Sequence, residues 1–449
     1  MLDSATAGVL VHPVLRAMIQ PMIWWFYNFC FVIGFTLLLP RFLWRMARRG
    51  GYARNFLQRF GRYASEVRAQ LAEGGRIWIH AVSVGEVGVA LRVIQELRTA
   101  QPNLRFVLST TTSTGHAVAQ EQLDPEIPLI YFPLDLPPIS RRVVRLIRPR
   151  ALLLIENEMW PNLIRTVRKS GAPVLMINAR ISAHSFRGYR LVRFLTRRLL
   201  PQLTGFGAQG QPDADRLIAL GAPADRLRVM GSAKYDLAPA GGGGADKARA
   251  ALNAAGIAAG RPLLLGGSTW AGEEAALLDA FLAVRSQVPG LALVLVPRHA
   301  ERRAEVLHEI ETRHLAVVSR STMKKIERPD VLLVDTTGEL RNFYEVADVI
   351  FVGKSLTRHG GQNIIEPAVC AKPIVVGPNM ENFESILPDF LAAQALVQVR
   401  DTASLREAVA RLLKTPSEAQ ALGTRAAQVV RAKAGALHAT VQWIVPLLG

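Results

Sequence analysis

The residues best suited to chemistry in this sequence lie in polar stretches that directly follow short apolar runs. In residues 79–88, Glu86 follows such a run at the start of a predicted helix. The helix N-terminus would favour an ionised carboxylate, whereas burial against a substrate would raise its pKa. Both tendencies suit a general base that accepts a hydroxyl proton. On spacing alone, a simple first-turn charge is the commoner explanation of Glu86.

A second polar stretch, residues 154–162, follows another apolar run and contains Glu156, Glu158, a Trp and a Pro. Two carboxylates in so short a loop could bind sugar hydroxyls or orient Arg180, which follows the next apolar run. Arg180 would offer a cation to an anionic acceptor. An ordinary structural loop is the alternative.

Four turns in the second half have residues typical of anion binding. Small residues let backbone N–H groups approach an anion, and a guanidinium binds two phosphate oxygens. The candidates are Ser268, Thr269, Arg298, His299, Gly338, Glu339, Leu340, Asn363 and Glu366. Each turn alone is weak evidence, but together they predict a nucleotide-phosphate pocket centred on residues 351–377. There Glu366 could accept two hydrogen bonds from a ribose diol.

Apolar runs that alternate with amphipathic stretches should position these residues. Predicted strands are 76–82, 105–109, 151–155, 173–178, 205–209, 262–266, 291–296, 316–319, 331–335, 348–352 and 373–377. Predicted helices are 87–99, 138–147, 272–286 and 301–312, with others starting near Glu339 and Asn363. Apolar strands separated by helices indicate parallel sheets covered on both faces. Ligands should then bind at the carboxyl ends of the strands, in a cleft between two α/β domains.

The chain of 449 residues is too long for one ordinary core. We expect a membrane anchor and basic collar at 1–45, a first Rossmann-like domain at 46–236 and a second at 237–449. The glycine-rich stretch 238–244 is predicted to be a linker or a surface loop.

The anchor prediction rests on residues 18–39, which are mostly apolar and lie in a region without charged residues between Arg16 and Arg41. About 20 such residues can cross a bilayer core. Arginines are frequent after this run and rare before it, so the positive-inside rule places the rest of the chain in the cytoplasm. A cleaved signal peptide fits poorly because no small-residue cleavage site follows. A helix lying in the membrane interface is the milder alternative, since Gln20, Pro21 and Asn28 weaken the span.

The formal net charge of +18 favours anionic partners, which could be nucleic acid, acidic lipid or a phosphorylated substrate. Charge alone does not choose among them. Cys30 and Cys370 lie far apart, so neither a disulfide framework nor a zinc site is indicated. The sequence also lacks the P-loop, dinucleotide and H-E-x-x-H motifs. We therefore expect no metal and no cofactor.

Taken in order, the polar stretches resemble the 3-deoxy-D-manno-octulosonic acid (Kdo) transferases of lipopolysaccharide synthesis (glycosyltransferase family 30). The matching motifs are Ser83-x-Gly85-Glu86, Glu156-x-Glu158-x-Trp160-Pro161-Asn162, Asn178-Ala179-Arg180-x-Ser182, Ser268-Thr269, Pro297-Arg298-His299, Asp335-Thr336-x-Gly338-Glu339-Leu340 and Gly360-Gly361-x-Asn363-x-x-Glu366-Pro367. The resemblance implies a GT-B fold. It also implies metal-independent, inverting transfer of Kdo from CMP-Kdo to an anionic lipid A precursor, lipid IVA, on the cytoplasmic face of the inner membrane, with no nucleic-acid partner.

The resemblance assigns Glu86 as general base, with Ser83, Gly85, Glu156, Glu158 and Arg180 on the acceptor side or in support. The candidate residues of the second half would bind CMP. The sequence departs from the family pattern at Trp270, Lys354 and Gln362, all on the donor side.

Two other hypotheses remain at this stage. One is a different membrane-associated GT-B enzyme that uses another nucleotide sugar. The other is a non-catalytic basic membrane protein.

Overall fold

Parallel sheets form the framework of the protein. The computed structural model describes residues 13–49, 55–237, 242–323 and 326–448. Within these residues there are two parallel sheets of seven strands each. The first, in spatial order β3-β2-β1-β4-β5-β6-β7, contains β1 (Ile77–Ala81), β2 (Phe106–Thr110), β3 (Leu129–Tyr131), β4 (Ala151–Ile155), β5 (Val174–Ala179), β6 (Gly205–Ala208) and β7 (Leu227–Val229). The second, in order β10-β11-β9-β8-β12-β13-β14, contains β8 (Leu263–Thr269), β9 (Ala292–Pro297), β10 (Val317–Ser319), β11 (Val331–Leu333), β12 (Val349–Val352), β13 (Ile374–Val376) and β14 (Val397–Gln398).

Helices connect most of the strands and cover the sheets. Up to β7 they are α1 (Pro13–Arg49), α2 (Ser65–Ala72), α3 (Val84–Ala100), α4 (Ser113–Gln122), α5 (Pro137–Ile147), α6 (Pro161–Lys169), α7 (Ala183–Leu191), α8 (Arg193–Leu199) and α9 (Gln211–Leu220). After β7 they are α10 (Lys234–Leu237), α11 (Ala245–Ala255), α12 (Glu273–Arg285), α13 (Arg303–Glu311), α14 (Leu340–Tyr344), α15 (Ile365–Val369), α16 (Leu387–Ala392), α17 (Thr402–Lys414), α18 (Pro416–Lys433) and α19 (Ala436–Ile444).

The central strands are apolar because both of their faces are covered. Every residue of β1, β2 and β4 is buried, as expected for a parallel sheet packed between helices. The predicted strands are confirmed, with ends shifted by a few residues. The sequence analysis missed β3, β7 and β14. These strands are two or three residues long, and β7 and β14 are partly exposed, so they leave little hydrophobic pattern.

The chain order reverses in the middle of each sheet, and in the second sheet β10 and β11 are also exchanged at one edge. In the first sheet β1 lies between β2 and β4, and in the second β8 lies between β9 and β12. At such a switch point the connections leave in opposite directions, which opens a crevice at the carboxyl ends of the strands. The topology therefore marks the ends of β1 and β4, and the ends of β8 and β12, as the places for ligands.

The chain divides into two compact units, which differ from the expected domains. One unit comprises Met1–Val229 with Thr440–Gly449, and the other comprises Met230–Ala439. The division thus falls before the glycine-rich stretch, and the last ten residues belong with the first unit. Within that stretch, 238–241 lie outside the described residues. The N–H groups of Gly242, Gly244 and Ala245 donate to the Glu345 carboxylate, so this end of the stretch is held on the second unit.

Helix α1 carries the predicted anchor. Its segment Met22–Arg41 is long and apolar enough to cross a membrane, with a mean hydropathy of 1.8. Most of its described apolar side chains are exposed, but Trp24 is buried against the first unit. The Tyr27 hydroxyl donates to Asp135 Oδ2 at 2.8 Å, and Asn162 Nδ2 donates to Asn28 Oδ1 at 2.7 Å. Asn28, one of the polar residues that weaken the apolar run, therefore joins α1 to the start of α6.

Candidate functional site

Glu86 lies at the carboxyl end of β1, in the first turn of α3. Its Oε2 accepts from the Val82 N–H at 2.8 Å. Its Oε1 accepts from the Ser83 hydroxyl at 2.8 Å and from the Ser83 N–H at 3.3 Å. Ser83 is the N-cap residue and completes a capping box. The helix starts at Val84, slightly before the predicted start at Glu86.

The pKa of Glu86 is raised above its usual value. Burial is the largest cause, the hydrogen bonds from Val82 and Ser83 lower the pKa, and the Glu158 carboxylate raises it. A carboxylate oxygen has further lone pairs, so Glu86 can accept another proton without leaving its capping box. The arrangement is that of a fixed carboxylate with increased basicity.

Glu158, which is half-buried after β4, belongs to a small cluster with the buried His80 of β1. The Trp160 indole donates to Glu158 Oε2 at 2.6 Å, and His80 Nε2 lies 3.5 Å from the same oxygen. His80 Nδ1 lies 3.1 Å from the Ser109 carbonyl oxygen, and its ring stacks on Phe132. Because a carbonyl only accepts, a hydrogen bond to the Ser109 carbonyl requires the proton on Nδ1. The neutral ring then has an unprotonated Nε2 beside Glu158, and this buried nitrogen forms no hydrogen bond with the described residues.

His80 was missed by the sequence analysis, although it stands in the same motif as Glu86. The sequence signal for His80 was a histidine inside an apolar run. Its neighbour Glu158 becomes visible only when β1 pairs with β4. The structure thus brings Ser83, Glu86 and Glu158 together at the switch point of the first sheet.

The other candidates of this edge are placed near it by the topology. Glu156 follows β4 directly with a left-handed φ of 61°, and Arg180 follows β5 directly. Non-glycine residues in this conformation store strain and cluster at functional sites. Gly85 has no such conformation, and a Cβ added to it would meet nothing within 4 Å. Packing therefore does not require a glycine at residue 85.

In the second unit the switch point is formed by tight backbone packing between β8 and β12. Ser268 is buried with a left-handed φ of 54°, and Thr269 is fully buried. A Cβ on Gly353 would lie 2.4 Å from the Ser268 carbonyl oxygen, so only glycine fits there. The turn from β8 to α12 therefore holds Ser268 and Thr269 in a fixed backbone conformation.

A fully buried carboxylate, Glu273, fixes these two turns. It accepts from the N–H groups of Trp270, Lys354, Ser355 and Leu356 at 2.7 to 2.9 Å. Buried N–H groups need acceptors, and one side chain supplies them for both turns. The sequence analysis missed Glu273 because its partners lie more than 80 residues away in sequence, apart from Trp270.

Arg298 is an exposed cation at this edge. It follows β9 and forms no ion pair with any described residue, whereas Arg302 pairs with Glu274 and Arg303 with Asp335. Its N–H donates to the Thr269 carbonyl at 3.0 Å, which joins the β8 and β9 turns. A fixed backbone with a free guanidinium suits a phosphate ligand.

The turn at Gly338, Glu339 and Leu340 is held by the Glu339 side chain. Glu339 accepts from Arg320 Nε at 2.9 Å and from the Thr336 hydroxyl. Gly338 has a left-handed φ of 86°. Helix α14 starts at Leu340 rather than Glu339 and has five residues, so its dipole offers little to an anion.

Asn363 and Glu366 are joined to each other. Asn363 Nδ2 donates to Glu366 Oε1 at 2.9 Å, and Asn363 Oδ1 accepts from the Ile365 N–H. Helix α15 starts at Ile365, two residues after Asn363, and it too has five residues. What this segment offers a ligand is therefore the half-buried Glu366 carboxylate.

Arg298 and Glu366 both act on the hydroxyl group of Tyr344. The pKa of the buried Tyr344 hydroxyl is raised, mainly by burial and next by Glu366, while Arg298 lowers it. Both charges must be near the hydroxyl to act on it. The structure therefore brings together a cation for phosphate and a carboxylate for sugar hydroxyls, which the sequence separates by 68 positions.

Two of the departures from the family pattern contact each other. The Lys354 ammonium lies 5.0 Å from the centre of the Trp270 ring, and the ring of His299 packs edge-on against Trp270 at 5.1 Å. Lys354 has a left-handed φ of 56°. Gln362, the third departure, is half-buried. Trp270 and Lys354 thus form a cation–π pair at the switch point.

The two parallel sheets, each with a central switch point, define the fold class of the protein, which is GT-B. The structure of Anabaena Alr3699/HepE in complex with UDP is similar, with a TM-score of 0.58 at 14% identity, over 83% of this chain and 99% of that chain. A glycosyltransferase from Rickettsia africae gives a TM-score of 0.56 at 11% identity, over 84% and 98%. At these identities the likeness concerns the fold alone.

Sequence comparison identifies the family. The model for 3-Deoxy-D-manno-octulosonic-acid transferase (kdotransferase) matches residues 54–237. The chain is 35% identical to the 3-deoxy-D-manno-octulosonic acid transferase of Bordetella pertussis, over 93% of this chain and 97% of that protein. It is 30% identical to that of Haemophilus influenzae, over 96% of each. The chain belongs to the Kdo transferase family and is an enzyme that transfers Kdo.

Proposed function

We propose that this enzyme transfers Kdo from CMP-Kdo to lipid IVA, the lipid A precursor of lipopolysaccharide biosynthesis, with Glu86 as general base. The observation that carries the proposal is the Glu86 carboxylate, which is held at a switch point with a raised pKa. The similarity to 3-deoxy-D-manno-octulosonic acid transferases supports Kdo as the sugar that is transferred. The resemblance of the sequence motifs to this family supports CMP-Kdo as donor and lipid IVA as acceptor.

The proposed reaction is a single displacement that inverts the anomeric carbon. An acceptor hydroxyl gives its proton to Glu86, and its oxygen forms the new bond to the anomeric carbon of Kdo. The bond from that carbon to the phosphate oxygen breaks, and CMP leaves with the electron pair. The raised pKa of Glu86 favours proton acceptance near neutral pH.

The second unit is proposed to bind CMP and to stabilise the leaving phosphate. Arg298 is exposed and has no ion-pair partner among the described residues, so it can bind phosphate oxygens without breaking an existing contact. Glu366 would accept hydrogen bonds from the ribose diol. Ser268, Thr269 and the backbone of 338–340 would line the same pocket beside Tyr344.

The acceptor is proposed to reach the enzyme from the inner membrane, with both units on the cytoplasmic face. The apolar segment Met22–Arg41 supports membrane anchoring. The arginines that follow it in sequence support the orientation.

The test is Glu86→Gln in the full-length protein. Gln keeps one acceptor oxygen for the capping box, so the fold and CMP binding should persist. Release of CMP in the presence of lipid acceptor should fall by about 10²–10⁴-fold, the usual contribution of a general base. Glu96→Gln on the same helix is the matched control and should retain activity.

Activity of Glu86→Gln within a few-fold of the parent would contradict the role of Glu86. Calorimetry with CMP and UDP then tests the donor separately. Tighter binding of UDP than of CMP would instead favour another nucleotide-sugar transferase.

A further inference from the structure

A groove with a volume of about 920 Å³ lies in the first unit between α1 and the helices α5 and α6. One wall is apolar and includes Trp24, Trp25 and Val32 of α1 together with Leu136 before α5. Trp25 and Val32 are exposed, at 74% and 47%. The groove is thus large enough for a small amphiphile and offers it an uncovered hydrophobic surface.

The other wall is cationic. Arg141 and Arg145 of α5, and Arg165 and Lys169 of α6, line the groove, and none of its lining residues is acidic. None of these four cations forms an ion pair with a residue that the structure describes. Four positive charges without an ion-pair partner among the described residues, beside an apolar wall, fit an anionic, acyl-chained ligand.

Arg165 shows that the cations are close together. Its guanidinium lies 4.2 Å from the centre of the Trp24 ring, which places the charge beside the apolar wall. Its pKa is lowered by burial and by Arg141, and raised by Asp135. The Asp135 carboxylate already accepts from Tyr27, Asn162 and Leu163. The effect of Asp135 on this pKa exceeds that of Arg141, so a bound phosphate would act mainly on the cations that lie farther from Asp135.

The groove extends away from the proposed reaction site. Crossover helices of a parallel sheet run back from the carboxyl edge to the amino edge. Lys169 is the last residue of α6 and comes shortly before the first residue of β5, so it lies toward the amino edge. Glu86, by contrast, lies at the carboxyl edge. The groove itself begins near the carboxyl edge, at Leu136, Pro137 and Asn162, but its cations lie from the middle of α5 and α6 toward the amino edge. A lipid phosphate bound to these cations therefore lies away from the edge that holds Glu86.

We propose that this groove binds an anionic glycerophospholipid of the membrane, as a site distinct from catalysis. The lipid phosphate contacts the cations of α5 and α6, and an acyl chain lies along Trp24, Trp25 and Val32. Tryptophan is enriched at the membrane interface, and basic clusters beside an apolar helix attract anionic lipids. The lipid would fasten α1 to the first unit.

The test compares dioleoyl phosphatidylglycerol with dioleoyl phosphatidylcholine, added in equal amounts to the full-length protein in detergent. Native mass spectrometry then measures the bound lipid. The parent should prefer phosphatidylglycerol. The variant Arg141→Gln/Arg145→Gln/Lys169→Gln should lose roughly 100-fold in that affinity, from about fivefold per basic residue. These three side chains are exposed, so the fold should persist.

The matched control is Arg142→Gln/Arg168→Gln/Arg406→Gln, which removes the same charge from exposed residues outside the groove. It should bind phosphatidylglycerol like the parent. Equal loss in both triple variants would mean a general charge effect and would overturn the site. Equal binding of the two lipids by the parent would also overturn it.

Competitors identify the source of the phosphate. Millimolar inorganic phosphate should not displace phosphatidylglycerol, because it lacks the acyl chain. If inorganic phosphate displaced phosphatidylglycerol, the groove would bind anions in general, and the phospholipid proposal would be wrong. If a phosphorylated disaccharide lipid displaces phosphatidylglycerol, and the groove variant raises the KM for that lipid, the groove serves the acceptor and the phospholipid proposal is wrong.

Discussion

The two sheets have the same kind of switch point, but their carboxyl edges hold opposite chemistry. At the edge of β1 and β4, the carboxylates of Glu86 and Glu158 lie near each other and His80, in a buried and partly aromatic setting. At the edge of β8 and β12, the buried carboxylate of Glu273 is used entirely by backbone N–H groups. There the exposed cation Arg298 remains available.

This difference shows how one architecture can serve two tasks. Carboxylates that repel each other in a buried site become more basic, which suits proton transfer. Glu273, by contrast, has its oxygens occupied by the backbone N–H groups of two turns. A ligand at that edge would therefore be bound by other backbone groups and by arginine, which suits a nucleotide phosphate. The residues that follow the strands, and not the sheets, decide which task each edge performs.

The largest effect should come from removing the carboxylate that fixes the second edge. Glu273→Ala leaves the N–H groups of four residues without their acceptor, so we expect a loss of at least ~3 kcal/mol in the free energy of unfolding. CMP binding should weaken as well. Denaturant unfolding measures the first and calorimetry the second. The exposed control Glu301→Gln should change neither, and a fully stable Glu273→Ala variant would contradict the role of Glu273.

Arg298→Gln should have the next largest effect, and this effect should be confined to the KM for the donor. Loss of charge-assisted hydrogen bonds to a phosphate costs about 1.5–3 kcal/mol, or roughly 10–100-fold in donor KM. Steady-state kinetics with varied CMP-Kdo measures this, and Arg406→Gln is the control. An unchanged donor KM would remove Arg298 from the pocket and weaken the contrast between the edges.

Glu158→Gln should move the pH dependence at the first edge. The base must be ionised to act, so activity falls as pH drops through the raised pKa of Glu86. Glu158 raises that pKa, and therefore its neutralisation should shift the acid limb of kcat/KM to lower pH. Glu156→Gln, in the same loop, should leave the limb in place. A shift toward higher pH in Glu158→Gln would show that the two carboxylates are not coupled in this way.

The smallest effect is expected for the pair that departs from the family pattern. Lys354→Met removes the cation from Trp270, and both residues are half-buried. A cation–π contact that keeps part of its solvent exposure contributes about 1 kcal/mol. We expect a change of roughly two- to fivefold in CMP affinity, measured by calorimetry. Lys247→Met is the control on an exposed helix. A loss as large as that of Arg298→Gln would mean that Lys354 binds the donor directly.

Much of the framework could be predicted because buried parallel strands must be apolar. The run at 151–155 matches β4 residue for residue, since every position in it is buried. The short strands β7 and β14 could not be found in this way. The division of the chain was also beyond the sequence, because the last ten residues join the first unit through contacts distant in sequence.

The candidate site was predicted in part. Glu86, Glu158, Arg298 and Glu366 stand out as polar residues after apolar runs, and their roles remain predictions. His80 and Glu273 did not stand out, since one lies within a strand and the other resembles an ordinary first-turn charge. Their importance depends on partners from other strands and turns.

The sequence by itself determined which segments are strands, which residues end them, and the family to which the chain belongs. These properties depend on local hydrophobicity and on ordered motifs. Only the tertiary structure decided which strand ends are neighbours, that Glu158 acts on the pKa of Glu86, that Glu273 fixes two turns, and that four cations face an apolar wall beside α1. Electrostatic coupling and burial depend on distance in space, which the order of residues does not specify.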